Sequence, residues 1–343
     1  MKFKAAILKE IKKPLVIDEI SFENLNYGQV FLKIIETGIC RSQIFEIDGL
    51  RGHDKWLPHL LGHEALAEVV DIGPGVTKVK VGEKVIATWI KSSGISAEPA
   101  KYKIGKQIIN SGRVTTFSEF SICSEDRCVL IRNLDEYKVG APLGCAIPTG
   151  YGLSLTLKDI KKANFIGILG LGGIGMSALL GIINETDANV GVIDIQKDRL
   201  EKALNLGAKY SFLPSSKKGL SEQIMEESGR LFDIVIECTG TINALNNSLT
   251  LIHDNGLVKF VTHPPYGNFL EIDPFELIKG KKIEGSWGGG IDPDKHLEYI
   301  ASKVSQNQKF LDLFTSACYK LENINQAIDE MKKMKTLRPI IRF

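Results

Sequence analysis

The chain has 343 residues, of which 43% are hydrophobic and 24% charged, with a formal net charge of +2. That length exceeds one ordinary hydrophobic core, so two domains are expected, and the near-neutral charge without a dense basic run argues against a nucleic-acid partner. No stretch approaches the roughly 18 uninterrupted apolar residues of a membrane span, and "MKFKAAILKE" returns to charge too soon for a secretion signal, so a cytoplasmic protein is expected.

The first 150 residues are rich in short β-like runs broken by glycine. "QVFLKIIETG", "LAEVVDIG" and "EKVIATWI" combine β-branched density with turn signals and predict a compact β-rich domain. Within it, "GICRSQIFEI" sets Cys40 beside Arg41 and Ser42, and Cys40 can be read as buried thiol, nucleophile or metal ligand. The segment from Lys91 to Arg113 is polar and weakly patterned, as a surface excursion would be. The six cysteines are scattered without a disulfide-like framework, so reduced thiols are expected. Cys123, Cys128 and Cys318 read as ordinary packing thiols.

From about Tyr151 the pattern changes. "FIGILGLGGIGMSALLGIINE" is a buried-strand run, a glycine turn and a helix-period run; "NVGVIDIQ" and "DRLEKALNLGA" repeat the alternation. Strands alternating with helices imply an α/β domain built on a doubly wound parallel sheet with right-handed crossovers. The expected division is 1–150 for the β-rich domain, 151–290 for the parallel-sheet domain, and a return of 291–343 to the first.

Gly170, Gly172 and Gly175 spell a G-x-G-x-x-G turn between a predicted strand and a predicted helix, with Gly173 inside it as a further cofactor-binding candidate. Glycine there permits the tight turn, backbone approach to a pyrophosphate and close helix–strand packing, while the helix N-terminus supplies amide donors. Asp194 ends the next strand about 20 residues on, where a carboxylate accepts from ribose hydroxyls and repels a 2′-phosphate, favouring NAD over NADP. Asp194 also fits as a helix N-cap, and Arg199 nearby leaves phosphate recognition open.

His63 and Glu64 stand at the entry to a strand in "LGHE", and Cys145 lies in "GCAIPTGYG". Cys40, His63 and Cys145 lack the local spacing of a closed structural zinc site; if they converge, the set matches a catalytic zinc with an open fourth position. Taken alone, a histidine in an apolar strand is as readily a satisfied core residue.

The blocks "GICRS", "LGHE", "VGEKVIA", "GRVTTFSEFSIC", "GCAIPTGYG", "GLGGIG", "VIDIQKDR", "ECTG", "PFELIKGKKIEGSWGGG" and "LRPIIRF" occur in that order. With them the chain resembles the medium-chain zinc-dependent alcohol dehydrogenases over essentially its whole length, most nearly the classical and glutathione-dependent formaldehyde dehydrogenase subgroup. The resemblance implies a Rossmann domain plus a β-rich GroES-like catalytic domain, with hydride transfer between an alcohol or carbonyl compound and NAD. It implies one catalytic zinc on Cys40, His63 and Cys145, with Glu64 behind the metal as an exchange ligand. It assigns Ser42 to the substrate oxygen, Arg41 and Arg338 to the cofactor pyrophosphate, and Thr149 to the underside of the nicotinamide. Trp89 falls on the aromatic wall of the substrate pocket, and a homodimer or homotetramer is implied, joined near "KKIEGSWGGG".

Three departures from that pattern stand out. Lys91–Arg113 lacks the four cysteines of a structural zinc, so one metal per chain is expected. Phe45, on the pocket side, occupies the place of a proton-relay histidine, leaving His53 and His59 as candidates by sequence proximity only. Gln43 replaces the aspartate that orients the zinc histidine. His263, in "VTHPP", is a candidate contact to the carboxamide or substrate. A polyol, sugar or biosynthetic-intermediate dehydrogenase of the same fold, and a catalytically silent NAD-binding protein, are the competing readings.

Overall fold

Alternating apolar and polar residues build the N-terminal strands of the computed structural model, which describes residues 1–134 and 136–343. In chain order they are β1 (Lys2–Leu8), β2 (Val16–Ser21) and β3 (Gln29–Gly38), then helix α1 (Arg41–Ile47). There follow β4 (His59–Leu60), β5 (Glu64–Ile72), β6 (Lys84–Thr88), β7 (Tyr102–Ile104), β8 (Gln107–Ile109), β9 (Phe120–Ser124) and β10 (Cys128–Leu130). One sheet runs β4-β1-β2-β7-β8. The segment expected as a surface excursion contributes a hairpin to this sheet. The reason is Tyr102, which is fully buried against Phe3 and accepts the Ile122 N–H through its hydroxyl at 2.7 Å.

After α2 (Ala146–Thr156), strands and helices alternate: β11 (Phe165–Leu169), α3 (Gly173–Glu185), β12 (Asn189–Ile193), α4 (Lys197–Leu206), β13 (Tyr210–Phe212) and α5 (Leu220–Ser228). The series continues with β14 (Phe232–Glu237), α6 (Ile242–Asn247), β15 (Ile252–Phe260), α7 (Pro274–Ile278) and β16 (Lys282–Gly285). These strands form one parallel sheet in the order β13-β12-β11-β14-β15-β16. β11 is buried at every position, which explains its unbroken apolar run: helices cover both faces of a parallel sheet. The order reverses between β11 and β14, and ligands bind at such a switch point outside the carboxyl ends of the strands.

The remaining chain forms α8 (Pro293–Val304), α9 (Gln308–Thr315), β17 (Cys318–Tyr319), α10 (Ile324–Lys332) and β18 (Ile340–Arg342). β18 pairs antiparallel with β3, Ile340 opposite Gly38, in a sheet ordered β10-β6-β5-β3-β18-β17 to which β9 adds beside β3. Cys318 is exposed on the short strand β17, not packed as its sequence context suggests. The chain divides into two compact units, Met1–Ala146 with Asp292–Phe343, and Ile147–Ile291. No helix among the described residues is long and apolar enough to cross a membrane.

Candidate metal centre and nucleotide site

In the first unit, strand pairing brings distant residues together. β3 and β5 run antiparallel with Thr37 opposite Ala65, so the residues leaving β3 and those entering β5 are neighbours. Cys40 follows the end of β3 as N-cap of α1, and His63 precedes the first residue of β5. A short turn, Ala141–Gly144, delivers Cys145 to the same place. A β-carbon on Gly144 would lie 2.4 Å from the Ala87 carbonyl oxygen and 2.7 Å from Glu64 Cβ, so only glycine lets this turn lie so close. Thr88 Oγ1 fastens it by donating to the Gly144 carbonyl at 2.7 Å.

The ligand atoms of Cys40, His63 and Cys145 all lie within 4.8 Å of one another. Both cysteines are buried and reduced. A hydrogen bond from Cys145 pulls the Cys40 thiol well below its usual range against the opposing effect of burial, with the Arg338 cation assisting. The same hydrogen bond and burial push Cys145 well up, so the pair releases one proton readily. Nε2 of His63 is buried and makes no hydrogen bond within the protein. Two thiols, one easily ionised, and an imidazole nitrogen left for a ligand form the donor set of Zn²⁺ with a fourth position open.

Around this set, Trp89 is half-buried with its ring centroid 6.3 Å from that of His63. Ser42 is half-buried, its Oγ 3.5 Å from His63 Nδ1, while Phe45 is buried on α1 and Arg41 exposed at the helix start. A cleft of about 1180 Å³ within this unit is lined by Gln43, His53, Trp56, His63 and Asn110, among others. His59 is committed elsewhere, Nδ1 to the Leu60 carbonyl at 2.9 Å and Nε2 to Asp54 at 2.8 Å.

Glu64 stands beside the ligand cluster without joining it, and its carboxylate meets Arg338. Arg338 is buried and donates to both carboxylate oxygens of Glu64, through Nε at 2.6 Å and Nη2 at 2.7 Å. A carboxylate buried next to the ligand His63 needs a cation, and Arg338, two residues before β18, supplies it.

A further pin escaped sequence reading. Glu125, almost fully buried, accepts the N–H groups of Thr77 and Lys78 on Oε1 and of Ile95 on Oε2, each at 2.7 Å. Lys78 in turn pairs with Asp294 at 2.7 Å. Glu125 directly follows β9, and its partners around Thr77 and Ile95 are distant in sequence, so no periodic signal pointed to it.

In the second unit the glycine turn carries out three separate tasks. Gly170 has φ of +94°, the left-handed region that glycine enters without strain. Gly172 has open space where a β-carbon would stand, the room a pyrophosphate needs against the backbone, and a β-carbon on Gly175 would lie 1.9 Å from the Gly170 carbonyl oxygen. Gly173 opens α3, whose thirteen residues aim their N-terminus at this turn. Asp194 directly follows β12, accepting from Leu171 N at 2.7 Å and Gln196 N at 2.8 Å, with Arg199 Nη1 3.9 Å from its carboxylate. Each oxygen keeps a lone pair for a ribose hydroxyl. Thr149 is buried, and its hydroxyl makes no hydrogen bond within the protein. His263 is exposed after β15, its Nδ1 2.9 Å from the Pro264 carbonyl oxygen. The turn, the helix end and the acceptor together fit a dinucleotide.

Comparisons with known proteins agree with both sites. The family profile described as "Alcohol dehydrogenase GroES-like domain" matches residues 26–133, and "Zinc-binding dehydrogenase" matches residues 173–303, together well over half of the chain. The chain is 27% identical over 370 residues to the alcohol dehydrogenase class-3 of Dictyostelium discoideum, covering 99% of this chain and 97% of that protein. In fold it is similar to benzyl alcohol dehydrogenase from Acinetobacter calcoaceticus, with TM-score 0.88 and 24% identity over 100% of this chain and 99% of that one. An alcohol dehydrogenase zinc-binding domain protein from Burkholderia ambifaria gives TM-score 0.90 at 23% identity with the same coverage. The chain belongs to the zinc-dependent medium-chain alcohol dehydrogenases, NAD-dependent oxidoreductases of alcohols and carbonyl compounds.

Proposed function

We propose that the protein interconverts a primary or secondary alcohol and its aldehyde or ketone, at a centre held by Cys40, His63 and Cys145. The observation carrying this reading is the convergence of three ligand atoms within 4.8 Å around a buried imidazole nitrogen that no protein group satisfies. Zinc on such a set supplies Lewis-acid polarisation of an oxygen, and NAD supplies the hydride chemistry. The protein's own residues orient the substrate and move its proton. Ser42 Oγ accepts the hydroxyl proton and passes it towards a cofactor ribose hydroxyl and water, since Phe45 interrupts the usual relay. Trp89, with Phe45, walls the substrate.

In this reading residues 151–290 carry NAD, and residues 1–150 with 291–343 carry the metal. Thr149 Oγ1 supports the nicotinamide, Asp194 and Arg199 hold the adenosine ribose, and Arg41 reaches the pyrophosphate. His263 lies at the substrate end of the nucleotide unit. Edge strand β16 and the exposed side chains of Tyr266, Phe269, Phe275, Ile278 and Trp287 support assembly as a homodimer or homotetramer. Reduced, metal-binding thiols suit the cytoplasm. The test is a panel of aliphatic, aromatic and polyhydroxy alcohols and their carbonyl partners, followed by NADH absorbance with the zinc-loaded protein. Turnover of any of them supports the reading; binding of NADH without zinc uptake or turnover overturns it. Preference for polyhydroxy substrates would follow from the polar cleft wall around His53 and Asn110.

A further inference from the structure

Gln43 sits between two N–H groups and has one oxygen to offer them. It is 2% exposed and occupies the third position of α1. Its Oε1 accepts the backbone N–H of Cys40 at 2.8 Å, closing the start of the helix, and this leaves Nε2 2.5 Å from His63 Nδ1. With Nδ1 against Gln43, the imidazole nitrogen left without a hydrogen bond, and so available to a metal, is Nε2. A metal there takes the Nε2 lone pair, so the one proton of the neutral ring sits on Nδ1. Nδ1–H then faces the amide NH2, donor against donor. Turning the amide over brings Oε1 to Nδ1–H but sets NH2 against the Cys40 N–H, moving the conflict to the helix cap. Ser42 Oγ, at 3.5 Å from Nδ1, is at the limit of hydrogen-bond range and is no substitute.

We propose that Gln43 is a positioning residue that ties metal loading to the start of α1, because its single carbonyl oxygen is contested by the Cys40 N–H and the Nδ1–H of ligating His63. The proposal rests on the reading of Cys40, His63 and Cys145 as the zinc site. Its consequence is a metal held more loosely than a carboxylate at this position would hold it, since two carboxylate oxygens satisfy both N–H groups at once.

The test compares zinc affinity of the full-length protein and its Gln43→Glu variant by competition with a chromogenic chelator. Changes to a group behind a metal ligand alter affinity by about 10–100-fold, and Gln43→Glu should bind at least about tenfold tighter. Equal or weaker binding by a folded variant overturns the proposal while leaving the metal site standing. A second measurement avoids any change of sequence: hydrogen exchange at the Cys40 amide, with and without zinc. Faster exchange on zinc loading supports the contest for the carbonyl; unchanged or slower exchange overturns it. Failure of the unaltered chain to take up zinc overturns the metal-site reading, and this proposal with it.

Discussion

Arg338 and Glu64, 274 positions apart, meet as a buried two-pronged ion pair directly behind the metal-binding residues. Planar guanidinium and carboxylate match in two parallel hydrogen bonds. Removing one partner strands the other. Glu64→Gln or Arg338→Met should each cost about 3–5 kcal/mol, and the double variant should cost less than the sum. Urea unfolding midpoints of the four proteins check this; strictly additive losses would show that the pair is not coupled.

Metal analysis should return one zinc per chain, because Cys40, His63 and Cys145 are the only such ligand group among the described residues. A chelator should abolish turnover, and added zinc should restore it. Cys145→Ser should lose the metal on dialysis. Two zincs per chain would count against this assignment.

Asp194 should govern cofactor choice. Its carboxylate provides hydrogen bonds from a charged group, each worth about 1.5–3 kcal/mol, so Asp194→Ala should raise KM for NADH roughly 10–100-fold. KM for NADPH should fall or hold steady, since the charge repelling a 2′-phosphate is gone and Arg199 is released from it. Parallel KM measurements with both cofactors decide; equal losses with the two would rule out discrimination by this residue.

Proton transfer should depend on Ser42 and not on His59. Ser42→Ala removes the hydroxyl proposed to take the substrate proton and should lower kcat by about 10²-fold or more. His59→Gln should leave the shape of the pH–rate profile unchanged, because both ring nitrogens of His59 are held by Leu60 and Asp54. A lost inflection in that variant would place His59 in the relay.

Glu125 should set the acid tolerance of the first unit. Burial raises its pKa, but the N–H groups of Lys78, Ile95 and Thr77 together with the Lys78 charge outweigh that and hold it below the ordinary value of 4.5. A lowered carboxyl pKa stabilises the fold above the ordinary value, and that stabilisation is lost as pH falls through the folded-state value. Glu125→Gln should therefore cost about 2–3 kcal/mol at neutral pH and flatten the loss of stability below pH 4.5. Urea unfolding at neutral and acid pH measures both effects.

The sequence alone determined those features whose physics is local. β11, the glycine turn and α3 are contiguous, and each signal, whether apolar run, glycine spacing or helical period, refers to residues within a few turns of one another. The nucleotide site was therefore legible, including the separate duties of Gly170, Gly172 and Gly175. Cys40, His63 and Cys145 could be named as zinc ligands only through resemblance, because no local spacing joins them; the register of β3 on β5 and the closeness allowed by Gly144 bring them together. Only the tertiary structure decided that Arg338 answers Glu64, that Glu125 pins the segment around Ile95, and that Gln43 stands between Cys40 and His63. Those partners are charges and amides buried far from their neighbours in sequence. What fixes them is the need to satisfy a buried polar group, and that need exists only once the fold has excluded water.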